Sequence, residues 1–66
     1  MRAKYTVRRS HLGIREKYGF DDLAAAEGRY DQILAETPDA FVELSEWLDG
    51  AMDVIKFQSG EIRFER

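Results

Sequence analysis

The sequence predicts an α+β fold: an antiparallel sheet of three or four strands with two helices packed on one face, in the order β(β)ααββ. Three observations lead there. Residues 3–9 alternate apolar and polar side chains. Residues 22–36 place apolar side chains at three- and four-residue steps. The last thirteen residues read as a hairpin around Ser59-Gly60.

In the first segment Tyr5 and Val7 fall on one side and Lys4, Thr6 and Arg8 on the other, the period-two pattern of a half-buried strand. Residues 10–20 admit two readings. Ser10 to Gly13 turns the chain into a second short strand with Ile14, Glu16 and Tyr18 on one side, or Ser10 caps one or two helical turns ended by Gly19. From Asp21 or Asp22 to Glu36 a helix is expected. The aspartates supply an N-cap and negative charge at the positive end of the helix dipole. Ala24, Ala25 and Ala26 are strong helix formers, and Leu23, Ala26, Tyr30, Ile33 and Leu34 build one apolar face. Gly28 interrupts it at a cost of about 1 kcal/mol relative to alanine.

Thr37-Pro38 then reads as an N-cap followed by proline at the first helical position. A second helix is expected to about Asp49, with Gly50 closing it in a left-handed conformation. Its apolar side is Phe41, Leu44, Leu48 and part of Trp47, extended by Ala51. In the C-terminal hairpin a two-residue Ser59-Gly60 loop sets Gln58 opposite Glu61, Phe57 opposite Ile62, Lys56 opposite Arg63 and Ile55 opposite Phe64. Both apolar pairs then share one sheet face. The expected core is Tyr5, Val7, Leu23, Ala26, Tyr30, Ile33, Leu34, Phe41, Leu44, Leu48, Ile55, Phe57, Ile62 and Phe64. Lys4, Thr6, Arg8, Val54, Lys56 and Arg63 are left on the opposite sheet face.

At 66 residues the chain has room for one domain, residues 1–66, near the lower size limit for folding without staples. It has no cysteine, which excludes disulfides, thiolate metal sites and a cysteine nucleophile. No apolar run approaches a membrane span, and the first residues carry no signal-peptide pattern. A small-molecule pocket of about 300 Å³ or more is out of proportion to so small a core, so no cofactor and no ordinary enzyme are expected.

Charge is the most informative feature. Residues 1–20 carry six bases and one acid, residues 21–53 ten acids and one base (Arg29), and residues 54–66 three bases and two acids. A net charge of −3 therefore conceals a basic N-terminal third and a strongly acidic middle. Asp39, Glu43, Glu46 and Asp53 fall along one stripe if the second helix persists that far, with Asp49 beside it, and Glu27 and Asp31 repeat the arrangement on the first helix. Like charges three or four residues apart stand about 5–6 Å from one another and disfavour an isolated helix. Such a row either solubilises a surface or presents negative charge as a nucleic-acid backbone does, to a basic groove on a partner.

Other chemistry is thinly represented. His11 beside Ser10 lacks the orienting group and oxyanion site of a nucleophilic centre. Nothing suggests that burial separates the pKa values of Glu43 and Glu46 for acid–base work. No loop has calcium-ligand spacing, and no metal site is expected. Gly13, Gly19 and Gly28 form no phosphate-binding fingerprint. Trp47 and Met52 either anchor a partner or close the core. A basic strand face of Arg2, Lys4, Arg8, Arg9, Lys56 and Arg63 offers phosphate contacts, but RNA-binding sheets also need exposed aromatics, and here Tyr5, Phe57 and Phe64 are assigned to the interior.

A cysteine-free α/β chain of this size with acidic residues concentrated from Asp21 to Asp53 resembles small phage-encoded inhibitors of host defence, including anti-CRISPR proteins and other DNA mimics. The resemblance implies a non-enzymatic inhibitor acting stoichiometrically in the host cytoplasm. Its carboxylates would occupy the nucleic-acid groove of a CRISPR effector or similar protein. The basic N-terminal strand departs from a uniformly acidic mimic. The expected partner-binding residues are Asp39, Glu43, Glu46, Asp49 and Asp53, supported by Glu27 and Asp31, on a monomer or weak dimer. The alternative is a small nucleic-acid-binding or regulatory module using the basic strand face, and a third reading is an accessory subunit pairing through an edge strand.

Overall fold

The computed structural model describes residues 3–66 and contains five strands and one helix: β1 (Tyr5–His11), β2 (Ile14–Phe20), α1 (Leu23–Glu36), β3 (Phe41–Leu48), β4 (Ala51–Ser59) and β5 (Ile62–Glu65). The strands form one antiparallel sheet in the order β2-β1-β3-β4-β5. The helix lies on one face against β1, β2 and β3.

Residues 10–20 take the strand reading. Leu12 (φ 53°) and Gly13 (φ 81°) form a two-residue turn between His11 and Ile14. Positive φ at both central positions is the type I′ pattern, which suits the twist of a hairpin. The helix lies where its period places it. The Asp22 carboxylate accepts from the Ala25 amide at 3.0 Å, which satisfies one of the free donors of the first turn. Ala26, Tyr30 and Ile33 face the sheet and are buried.

The expected second helix does not exist, and this corrects the fold class. Thr37-Pro38-Asp39-Ala40 is a β-turn, closed by the Ala40 amide donating to the Thr37 carbonyl at 3.1 Å. The fixed φ of proline serves the second position of such a turn as well as a helix start. Residues 41–48 are then a central strand. Ala40, Val42 and Leu44 go to full burial at alternate positions, and this period of two wins over the three- and four-step spacing of Phe41, Leu44 and Leu48. The left-handed Gly50 (φ 83°) sits beside Asp49 (φ 49°) in a second type I′ turn, between Leu48 and Ala51. Asp-Gly between apolar runs is a strong hairpin signal, and here it marks β3–β4 rather than a helix end.

The C-terminal hairpin forms with its register two residues from the expected one. Ser59 faces Ile62, Gln58 faces Arg63, Phe57 faces Phe64 and Lys56 faces Glu65, around Gly60-Glu61. A slip of two keeps each side chain on its face. Positive φ at Gly60 (61°), the first central residue, matches a type II′ turn.

The core under the helix is Val7, Ala26, Tyr30, Ile33, Ala40, Val42 and Leu44, flanked by Tyr5, Tyr18, Phe20, Leu34 and Ile55. Leu23 and Leu48, expected inside, are exposed at the ends of α1 and β3, as are Ile62 and Phe64 on β5. For Ile62 and Phe64 the cause lies in β4. The β3–β4 register shifts at Leu44/Ser45, where Leu44 faces Lys56 and Ser45 faces Val54, leaving Ile55 as the extra residue of a bulge. Ile55 and Lys56 both serve the helix side, and from Phe57 onward the apolar side chains of β4 and β5 turn to the helix-free face.

Candidate functional site: the helix-free face of the sheet

Registers across the five strands set the side chains of the helix-free face in rows. One row runs Arg15, Ser10, Phe41, Ser59, Ile62, and the next Lys17, Arg8, Glu43, Phe57, Phe64. Each residue is opposite its neighbour in the adjacent strand, so the rows follow from hydrogen-bond register and alternation alone. Toward β2 the rows are polar or cationic, and toward β5 they are apolar except for Ser59.

The apolar half is an aromatic ladder. Phe41 and Phe57 have ring centroids 5.8 Å apart at 34°, and Phe57 and Phe64 lie 5.6 Å apart at 18°. These separations are those of favourable aromatic pairs. Phe64 is 45% exposed and Ile62 66%, so the outer end of the ladder lies open. The cationic half contributes Arg8, Arg15 and Lys17. Arg8 meets Glu43 at 3.6 Å, and Ser45 Oγ donates to the same carboxylate at 3.0 Å. Arg15 and Lys17 are exposed and have no ion-pair partner among the described residues. A concavity of ≈ 480 Å³ lies at the β1–β2 end of this face, walled by Arg8, Ser10, Arg15, Lys17 and Phe41 and, along the strands, by Arg9 and Glu16.

The acids expected to form one wall are distributed over the molecule. Asp39, in the turn before β3, lies 3.1 Å from His11 Nε2, and its carboxyl is held below its ordinary value chiefly by that hydrogen bond. Glu43 is on the helix-free face with Arg8. Glu46 and Asp53 share Arg66, each at 2.6 Å, on the other side of the sheet. Asp49 occupies the β3–β4 turn. Glu27 meets Lys56 at 3.7 Å over the helix side, and Asp31 is exposed on α1. The helix on which five of these residues were aligned is a strand, its turns and the start of β4, and alternation sends neighbours to opposite faces.

The basic residues divide similarly. Arg8 is on the helix-free face. Arg9 is turned under the helix, where it bonds Glu16 and donates to Thr37 Oγ1 at 3.2 Å. Lys56 stands 4.7 Å from the centre of the Tyr30 ring on the helix side. Arg63 faces that side too, beside a groove of ≈ 290 Å³ between α1 and β4–β5. Lys4 lies just before β1, its carbonyl accepting from the Trp47 amide at 2.8 Å, and Arg2 lies outside the described residues. Sequence reasoning missed Arg15, Lys17 and Phe41 as site residues. The signal was present in Arg15-Glu16-Lys17, whose alternation puts both bases on one face once the segment is a strand.

Among the described residues no group of three or more histidines or carboxylates is placed to hold a metal ion, and no helix is long and apolar enough to cross a membrane. The chain matches no protein-family model, no curated protein and no solved structure with which it was compared.

Proposed function

We propose that the protein is a non-enzymatic binding module that takes single-stranded nucleic acid on the helix-free face of its sheet. The observation that carries this reading is the Phe41–Phe57–Phe64 ladder beside the unpaired bases Arg15 and Lys17. Exposed rings on a sheet give unpaired bases a stacking surface, and neighbouring cations follow the phosphates. The overall charge of −3 does not oppose this. The face holds three bases against the single acid Glu43, while α1 and the loops carry most of the acids. The stripe of carboxylates that would have made the protein a nucleic-acid decoy is divided among opposite surfaces and largely engaged with His11, Arg8, Arg66 and Lys56.

Fluorescence anisotropy with short labelled single-stranded DNA and RNA at low salt tests the reading. Micromolar or tighter binding is expected, weakened by Phe64→Ala by about 1–3 kcal/mol, the usual worth of one stacked base. Arg15→Glu with Lys17→Glu should weaken binding at least tenfold and flatten its salt dependence, since each neutralised phosphate of a single strand contributes about −0.7 to the slope of log K against log salt. Glu43→Gln should strengthen it. No binding by the folded wild type, or binding indifferent to both Phe64 and the two bases, overturns the proposal.

A further inference from the structure

We propose that β5 is a self-pairing edge through which two copies of this chain join their sheets into one. The argument stands apart from nucleic-acid binding and rests on the register of the outermost strand.

β5 borders β4 on one side only, and every residue from Ile62 to Glu65 is exposed. The Arg66 amide donates to the Ile55 carbonyl at 2.7 Å. Hydrogen-bonding direction alternates along a strand, so Ile62, Phe64 and Arg66 bond inward to β4 while Arg63 and Glu65 aim their amides and carbonyls outward. An edge of this kind accepts another strand unless something blocks it. Here the described residues of β5 include no proline and no bulge.

Charge and strand length together select the register. When two β5 strands pair antiparallel about a twofold axis with helices on the same side, outward-bonding residues must meet one another. Centring the pair on Arg63 sets Arg63 against its own copy and Glu61 against Glu65. Centring it on Glu65 sets carboxylate against carboxylate. Centring it on Ile62 would oppose Arg63 to an acid, but that acid is Glu61, which lies in the turn outside the strand. Centring it on Phe64 sets Arg63 of each copy opposite Glu65 of the other, twice, with four backbone hydrogen bonds between those residues. The same register brings Phe64 against Phe64 in a non-hydrogen-bonded pair, where side chains approach more closely. The aromatic ladder of one copy thereby continues into that of the next. The other edge, β2, lacks this complementarity. Its outward-bonding positions hold Arg15 and Lys17, so registers centred on Glu16 or Lys17 oppose base to base. The register centred on Tyr18 spends an outward position on Gly19, which brings no side chain to the contact. The helix packs on β1, β2 and β3; its residues Tyr30, Asp31 and Leu34 share a groove with Arg63 and Glu65 but leave every residue from Ile62 to Glu65 exposed.

Sedimentation or light scattering of the 66-residue chain across about 10 µM to 1 mM, the range of weak association, should show mass rising from monomer toward dimer. Arg63→Glu and Glu65→Arg, each alone, should raise the dissociation constant roughly tenfold or more by setting like charges opposite one another. Their equimolar mixture should associate again. A monomer at every concentration, or a dimer indifferent to Arg63→Glu, overturns the proposal. Because Glu65→Arg also sets a base opposite Lys56 within the chain, amide exchange of the wild type supplies a second readout. The Arg63 and Glu65 amides should be protected at high concentration and lose protection on dilution; concentration-independent exchange at both overturns the proposed contact.

Discussion

On β2, two donors converge on the Glu16 carboxylate: the Tyr18 hydroxyl on one oxygen and the Arg9 guanidinium on the other. The Tyr18 hydrogen bond chiefly holds this carboxyl below its ordinary value of 4.5; desolvation opposes it, and the Arg9 hydrogen bond and the charges of Arg9 and Arg29 add smaller lowering effects. A carboxyl depressed in the folded state stabilises the fold above its unfolded pKa and loses that contribution as pH falls through the folded one. Glu16→Gln should therefore flatten the fall in melting temperature on acidification below pH 4.5, with little change in its slope near neutrality. An unaltered acid limb in thermal melts would show that the pair contributes nothing. Leu12 presents a different residue-scale cost, since it holds φ 53° with a branched side chain in the β1–β2 turn. A left-handed conformation costs an ordinary residue about 1–2 kcal/mol, while Asn-Gly is a preferred type I′ pair. Leu12→Asn should raise stability by about 1 kcal/mol, or about 4–8 °C in a domain of this size.

The helix carries its own test. A methyl group added at Gly28 would meet nothing within 4 Å, so no close approach requires glycine there. Gly28→Ala should stabilise by about 1 kcal/mol, the propensity difference alone, and a loss of stability in urea melts would show an unseen constraint. Legibility differed between elements for physical reasons. α1 was readable because Asp22, the alanines and the Leu23-to-Leu34 spacing all favour one state. β3 was not, because Phe41, Leu44 and Leu48 satisfy a helical period while Val42 and Leu44 satisfy an extended one, and the Asp49-Gly50 turn that decides between them also reads as a helix cap. The pairing of β4 with β5 was readable to within a two-residue slip. Which way its apolar side faces was not, because one extra residue at Ile55 reverses the phase and alternation alone does not reveal a bulge.

For the molecule as a whole, the segregation of charge along the chain becomes a difference between layers: Asp31 and Glu36 are exposed on the helix, Arg15 and Lys17 on the opposite face. Six bases in the first twenty residues were plain in the sequence, but the grouping of Arg15 and Lys17 with Arg8 on one face depended on residues 14–20 being a strand. Of the candidate site the sequence placed Arg8 alone on this face. Arg15 and Lys17 were passed over because residues 10–20 read equally as helical turns, and the aromatics were assigned to the interior. The salt dependence of binding is the property in which this layering should be measured, since it counts the phosphates that the whole face neutralises. The order of strands has one more consequence, for how the chain assembles. β1–β2 and β3–β4–β5 are each joined by two-residue turns and need only local closure, whereas β1 meets β3 from Ser10↔Phe41 to Tyr5↔Glu46, across the helix. Loop-closure entropy is heaviest at that seam. The slowest step of folding is therefore expected there, where the β1–β2 hairpin and the β3–β4–β5 meander must close into one sheet.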